Sequence, residues 1–154
     1  MLPVKTLYET DFNLWLEETA LLLREGRLDQ LDIENILEEI EGMSRSEKDA
    51  LESNLIRVLQ HLLKWNYQPE KRSVSWSYTI IEHSRRLNKA LKNSPSLKRH
   101  FDAALDECYH EACKAAAVET QFPLATFPAL CPFTASDVLD INPDDYLIDL
   151  GFTQ

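Results

Sequence analysis

The sequence predicts an all-α fold, an up-and-down bundle of four to five helices with a Pro-containing C-terminal strap packed on it. Three observations carry that prediction. Apolar residues recur at steps of three and four through most of the first 120 positions. The chain has only 3 Gly among 154 residues, few for a fold that must make many tight hairpins. From Gln121 onward the pattern changes: Pro123, Pro128, Pro132 and Pro143 exclude any long helix, while Phe122, Phe127, Phe133, Leu139, Tyr146 and Phe152 are too apolar for a free tail.

The first helix is expected from about Glu9 to Arg24, with Thr10 or Asp11 as cap, Phe12, Trp15, Leu16, Leu22 and Leu23 mostly at helical spacing, and Gly26 as stop. A second helix begins near Asp32, a good N-cap, and carries the stripe Ile33, Ile36, Leu37, Ile40 and Met43, with Glu34, Glu38, Glu39 and Glu41 mostly outside it. Gly42 and the capping-box pattern Ser44-x-x-Glu47 suggest a break there. The alternative is one long helix, since the stripe resumes with Leu51, Leu55, Val58, Leu59 and Leu62 and runs to about Trp65.

Asn66-Tyr67-Gln68-Pro69-Glu70 reads as a turn, because a residue before Pro is driven out of the helical region. Ser73 or Ser75 caps the next helix, which runs to about Lys92 with Trp76, Ile80, His83, Leu87 and Ala90 inward. Ser94-Pro95 reads as N-cap and N1 proline of the last long helix, which ends near Thr120 and turns Leu97, Phe101, Ala104, Leu105, Cys108, Ala112 and Ala115 to the core. Thr134 or Ser136 caps a short helix in the strap.

This length suits one domain, 1–154, with the bundle at about 8–120 and the strap at about 121–154. With 44% hydrophobic and 27% charged residues the composition is globular. No apolar run approaches the ~20 residues that cross a bilayer, and Met1-Leu2-Pro3-Val4-Lys5 lacks the core of a signal peptide, so the expected setting is cytoplasmic, without membrane. The 3 Cys make a disulfide framework improbable, which fits a reducing compartment.

The net charge of −10 is unevenly spread. Residues 1–59 carry −8, residues 60–100 carry +7 and residues 101–154 carry −9. Within the basic centre Arg85, Arg86, Lys89 and Lys92 sit on the outer and flanking surface of one helix, a candidate patch for an anion or nucleic acid. A sequence pI of about 4.8 argues against nucleic acid and for balance of these charges by neighbouring acidic helices. The same layout lets two chains pair head to centre.

The residues that could hold a metal are His61, His83 and Glu111, with Glu107 as a fourth candidate. Helical rise brings the first three to within about two turns of one height, and bundles build metal sites from inward His and carboxylate on facing helices. Against it stand a single Glu-x-x-His, Glu107 to His110, where a di-iron bundle needs two, and the want of any HExxH. GxSxG, a phosphate-binding Gly loop and a dinucleotide fingerprint are all missing, and no Cys has a His at a telling spacing.

Several stretches in combination look like one known family. These are Tyr8…Asp11-Phe12…Trp15-Leu16-Glu17, Asp32-Ile33-Glu34-Asn35…Glu38-Glu39-Ile40-Glu41 and His61-Leu62-Leu63-Lys64-Trp65…Tyr67-Gln68-Pro69. Ser75-Trp76, Ser94-Pro95-Ser96-Leu97 and Phe127-Pro128…Cys131-Pro132 complete the set. The chain thereby resembles domain-of-unknown-function family 29, small helical proteins found largely in cyanobacteria, from about Leu7 to Tyr146. The resemblance implies an all-helical fold and a bacterial cytoplasmic setting, and brings no activity, cofactor or catalytic residue. The functional expectation is a protein-interaction module, adaptor or antitoxin-like, that binds another protein or itself and needs no cofactor. The alternatives are a metal-dependent enzyme on His61, His83 and Glu111, and an anion or nucleic-acid binder on the basic helix. Segregated charge without a catalytic constellation tips the balance away from an enzyme.

Overall fold

The structure, a computed structural model, describes residues 3–148. Phe152, expected in the strap, lies outside the described residues. Among them are six α-helices and no strand, so the chain is all-α. It divides into two compact units, Met1–Glu47 and Lys48–Gln154.

In the first unit, the single helix expected from Glu9 to Arg24 is instead two, α1 at Val4–Thr10 and α2 at Phe12–Arg24. The break is Asp11, extended at φ −153°, whose carboxylate accepts from the Leu14 amide at 3.1 Å. A short acidic side chain that bonds the amide three residues ahead starts a new helix in place of continuing the old one. At the other end Gly26 takes φ +72°, and the Arg27 amide reaches back to the Leu22 carbonyl at 2.9 Å. That left-handed stop favours a residue without Cβ.

α3 runs unbroken over Ile33–Tyr67, a rod of about 50 Å. Gly42 lies inside it and the Ser44-x-x-Glu47 capping box does not form, so the one-helix alternative is the correct one. Asp32 precedes α3 as expected, but its carboxylate is turned to side chains, accepting from Trp15 Nε1 at 3.2 Å and Asn35 Nδ2 at 2.7 Å. The core of the first unit is small. Leu7, Trp15 and Leu22 are its buried apolar residues among those described, with Tyr8 and Phe12 packed on the Trp15 ring at 4.9 and 5.6 Å between centroids.

In the second unit, α4 spans Val74–Asn93 and α5 spans Leu97–Thr120. Asn54 meets His83 and Lys64 meets Trp76, so α4 runs antiparallel to α3. Glu52 meets His100 and Lys64 meets Glu119, so α5 runs parallel to α3, the up-down-up order of a bundle. Ser73 caps α4 through the Trp76 amide. The predicted start of α5 needs correction: Ser94-Pro95 form a turn, with the Leu97 amide on the Ser94 carbonyl, and the helix begins two residues beyond Pro95. The inward face of α4 is also rotated from the predicted one. Ser77, Ile80, Ser84 and Leu87 are buried, whereas Trp76, His83 and Ala90 are half-buried at its edge.

Leu51, Leu55, Leu59, Leu63, Ile80, Leu87 and Phe101 form the centre of the core. The C-terminal segment packs against it as expected, through Phe127, Val138 and a short α6 at Ala135–Leu139 with a Thr134–Asp137 capping box. Four side-chain donors tether it: Tyr109 to the Pro128 carbonyl, Ser84 to that of Val138, Asn88 to that of Leu139 and Ser77 to that of Tyr146.

Candidate functional site

From Val58 to Trp65 every residue of α3 is buried, so this stretch is surrounded on all sides. Three polar side chains, Gln60, His61 and Lys64, are therefore forced out of water and must find partners within the protein. The Lys64 ammonium pairs with the Glu119 carboxylate, which also accepts from Gln60 Nε2. The same ammonium lies 4.5 Å from the centre of the Trp76 ring, a cation–π contact. Burial by itself would push the pKa of Glu119 up, but the Lys64 hydrogen bond and charge outweigh it and hold the carboxyl below its usual range. The cluster ties α3 to α5.

The proposed metal ligands are not brought together. His61 Nδ1 lies 2.9 Å from the Arg57 carbonyl on its own helix, and His83 Nδ1 lies 2.7 Å from Asn54 Oδ1. Glu111 is exposed and pairs with Lys114 at 3.2 Å. Among the described residues no group of three or more His, Cys, Asp or Glu is placed to hold a metal ion, with Glu107 included. Burial pushes both His61 and His83 below the ordinary imidazole value, and for His83 the Arg86 charge adds to the effect. All three cysteines are free thiols, and burial pushes Cys108 up to about 11, so none is activated.

The basic patch is partly neutralised within its own helix. Glu82 accepts from both Arg85 and Arg86, at 2.7 and 3.2 Å. The Arg85 hydrogen bond, then that of Arg86, draws the Glu82 carboxyl down to about 2. Lys89 and Lys92 are exposed, without a carboxylate within 4.0 Å among the described residues. Two concavities flank the C-terminal segment. One of about 720 Å³ is lined by Asn66, Asp137, Asp140, Asp145 and Tyr146, the other of about 610 Å³ by His110, Cys113, Leu124, Phe127 and Pro128.

The first unit carries a feature of another kind. Its α3 stripe is amphipathic as predicted but uncovered: Ile33, Leu37, Ile40 and Met43 are 59%, 52%, 54% and 61% exposed. Phe12, Leu14, Leu16, Leu21, Leu23 and Leu28 are exposed as well. Among the described residues of this unit, ten large apolar side chains thus face water and three are buried. Single exposed leucines need no explanation, but this concentration marks a surface for association.

What sequence reasoning missed is the Gln60–Glu119–Lys64 cluster and the openness of the α3 stripe. The first left one trace, polar residues inside a run with no helical alternation. The second left none, since periodicity shows which face is apolar and not whether anything covers it.

The family model described as "Domain of unknown function DUF29" matches residues 7–143. No curated protein and no solved structure matches the chain.

Proposed function

The chain belongs to the DUF29 family, a membership that assigns no activity, and from that premise we propose that it is a bacterial cytoplasmic protein-interaction module, adaptor or antitoxin-like, that docks through α2 and the first third of α3. One observation carries the reading: among the described residues of the first unit ten large apolar side chains are exposed and three are buried. A unit of 47 residues, Met1–Glu47, is near the size at which a single core no longer suffices and oligomerisation or another staple is needed. A partner that covers Ile33, Leu37 and Ile40 would supply the missing burial, at roughly 25 cal/mol per Å² of apolar surface. No helix among the described residues is long and apolar enough to cross a membrane.

The test is the assembly state of the native protein at low salt, beside a Leu37→Ser, Ile40→Ser variant. A stoichiometric complex, with another protein or with itself, that the variant loses while its second unit keeps its melting temperature supports the reading. A native protein with neither partner nor self-association ends it, and so does a complex indifferent to the two substitutions.

A further inference from the structure

Resting on that reading of the first unit, we propose that its open face is covered by the outer face of α4 from a second copy of this chain, so that two copies pair reciprocally. Residues 1–47 hold 4 Lys and Arg against 12 Asp and Glu, a net charge of −8. On α3 the apolar residues Ile33, Leu37 and Ile40 are each followed by a glutamate, Glu34, Glu38 and Glu41, which forms an acidic edge along the stripe. Glu34 and Glu38 make ion pairs with Lys5 and Arg45 at 3.5 and 3.4 Å, but every partner in them is well exposed and such pairs hold weakly. Two such faces laid together would bring units of −8 and −8 against each other with their glutamate edges opposed, so like-with-like pairing is disfavoured.

The complementary surface is on the same chain. Val74, Tyr78, Ile81, Arg85, Lys89 and Lys92 follow one another on α4 at steps of four, three, four, four and three, one face of a helix. Val74 and Tyr78 are 60% and 65% exposed, Ile81 is half-buried, and Arg85, Lys89 and Lys92 are exposed. The face is thus apolar at its start and basic at its end. Long basic side chains cover apolar surface with their stems while the charged heads reach outward. Laid antiparallel, the stems of Arg85, Lys89 and Lys92 cover Ile40, Leu37 and Ile33, their heads meet Glu41, Glu38 and Glu34, and Ile81 meets Met43. The spans match at about 15 Å each. Each copy offers both surfaces, and a reciprocal pair of this kind has a two-fold axis and two equivalent contacts, the commonest form of homo-oligomer.

Sedimentation of the full chain tests this with two variants, Glu38→Lys with Glu41→Lys, and Lys89→Glu with Lys92→Glu. The native chain is expected to be a dimer whose dissociation constant rises about tenfold or more between low and high salt, as screening requires. Each variant alone opposes like charges in both contacts and is expected to be monomeric, with its helical circular dichroism retained. The equimolar mixture restores opposite charges in both contacts and is expected to form the mixed dimer. If either pair fails to fold, Glu38→Lys and Lys89→Glu singly give the same cross. A monomeric native chain, a variant that dimerises as the native chain does, or a mixture that stays monomeric overturns the proposal. A chain monomeric by itself that still holds a different protein through Leu37 and Ile40 overturns the dimer alone and leaves the interaction module standing.

Discussion

Lys64 on α3 and Glu119 on α5 form an ion pair of unequal burial, the lysine side chain 7% exposed and the glutamate 41%. The inequality makes the two ends of the pair differ in consequence. Removing Glu119 leaves an ammonium stranded out of water, whereas removing Lys64 leaves a carboxylate that water can solvate. Glu119→Ala should therefore cost about 2 kcal/mol, below the ~3–5 of a fully buried pair because solvent reaches the glutamate. Lys64→Met should cost less than about 1 kcal/mol, since the methionine keeps the packing on Trp76. Urea unfolding of both variants checks this, and the opposite order would mean that Glu119 needs the ammonium more than the ammonium needs it.

Leu55 and Leu87 are both wholly withdrawn from solvent at the centre of the second unit. Leu→Ala at either should destabilise by roughly 2–5 kcal/mol, the transfer term plus the cavity left behind. A loss below ~1 kcal/mol in chemical denaturation would contradict the packing of α3 against α4.

Gly42 stands in the interior of α3, and a Cβ there would lie 3.6 Å from the Arg45 side chain, an ordinary contact. Gly42→Ala should accordingly stabilise by about 0.5–1 kcal/mol through the chain entropy that glycine loses in a helix. Thermal unfolding followed by circular dichroism reads the change. A fall in stability would show that α3 bends or is closely approached at this point when assembled.

His61 and His83 have folded-state affinities for protons below the unfolded value of 6.5, chiefly through burial. The unfolded chain therefore binds more protons than the folded one below about that pH, and stability rises with pH through this window. The native protein should lose stability as pH falls through 6.5, and His61→Gln with His83→Gln should flatten that limb. Glu82 acts in a lower window: its contribution is present above 4.5 and is lost as pH falls through about 2. Denaturation midpoints across the range separate the two limbs; an unchanged upper limb in the double variant would assign it to other groups.

Much of the fold was legible because local signals agreed. The end of α5 near Thr120, the Ser73 cap, the turn before Pro69 and the Thr134 cap were all marked by residues whose backbone preference admits few alternatives. α1 was not legible. Val4–Thr10 has no side-chain cap and buries only Leu7, so its helicity comes from packing against α2. The start of α5 was misplaced because Ser-Pro suits both a helix start and a turn. The Lys64–Glu119 pair joins residues 55 apart, and no spacing rule reaches that far. The histidines were visible, but their Nδ1 partners, Asn54 for His83 and the Arg57 carbonyl for His61, could not be placed beside them from sequence alone.

The small core of the first unit, three buried apolar residues among those described, has a consequence in time as well as in space. Local opening there exposes little new apolar surface, so its free energy is far below that of opening the second unit. Amide protons of α1, α2 and the start of α3 should exchange with solvent through sub-global fluctuations, while those of Val58–Trp65 exchange only when the second unit opens. A single uninterrupted helix is then divided into two cooperative foldons, and the boundary between them falls where burial begins, at Leu51, with no change in the backbone to mark it.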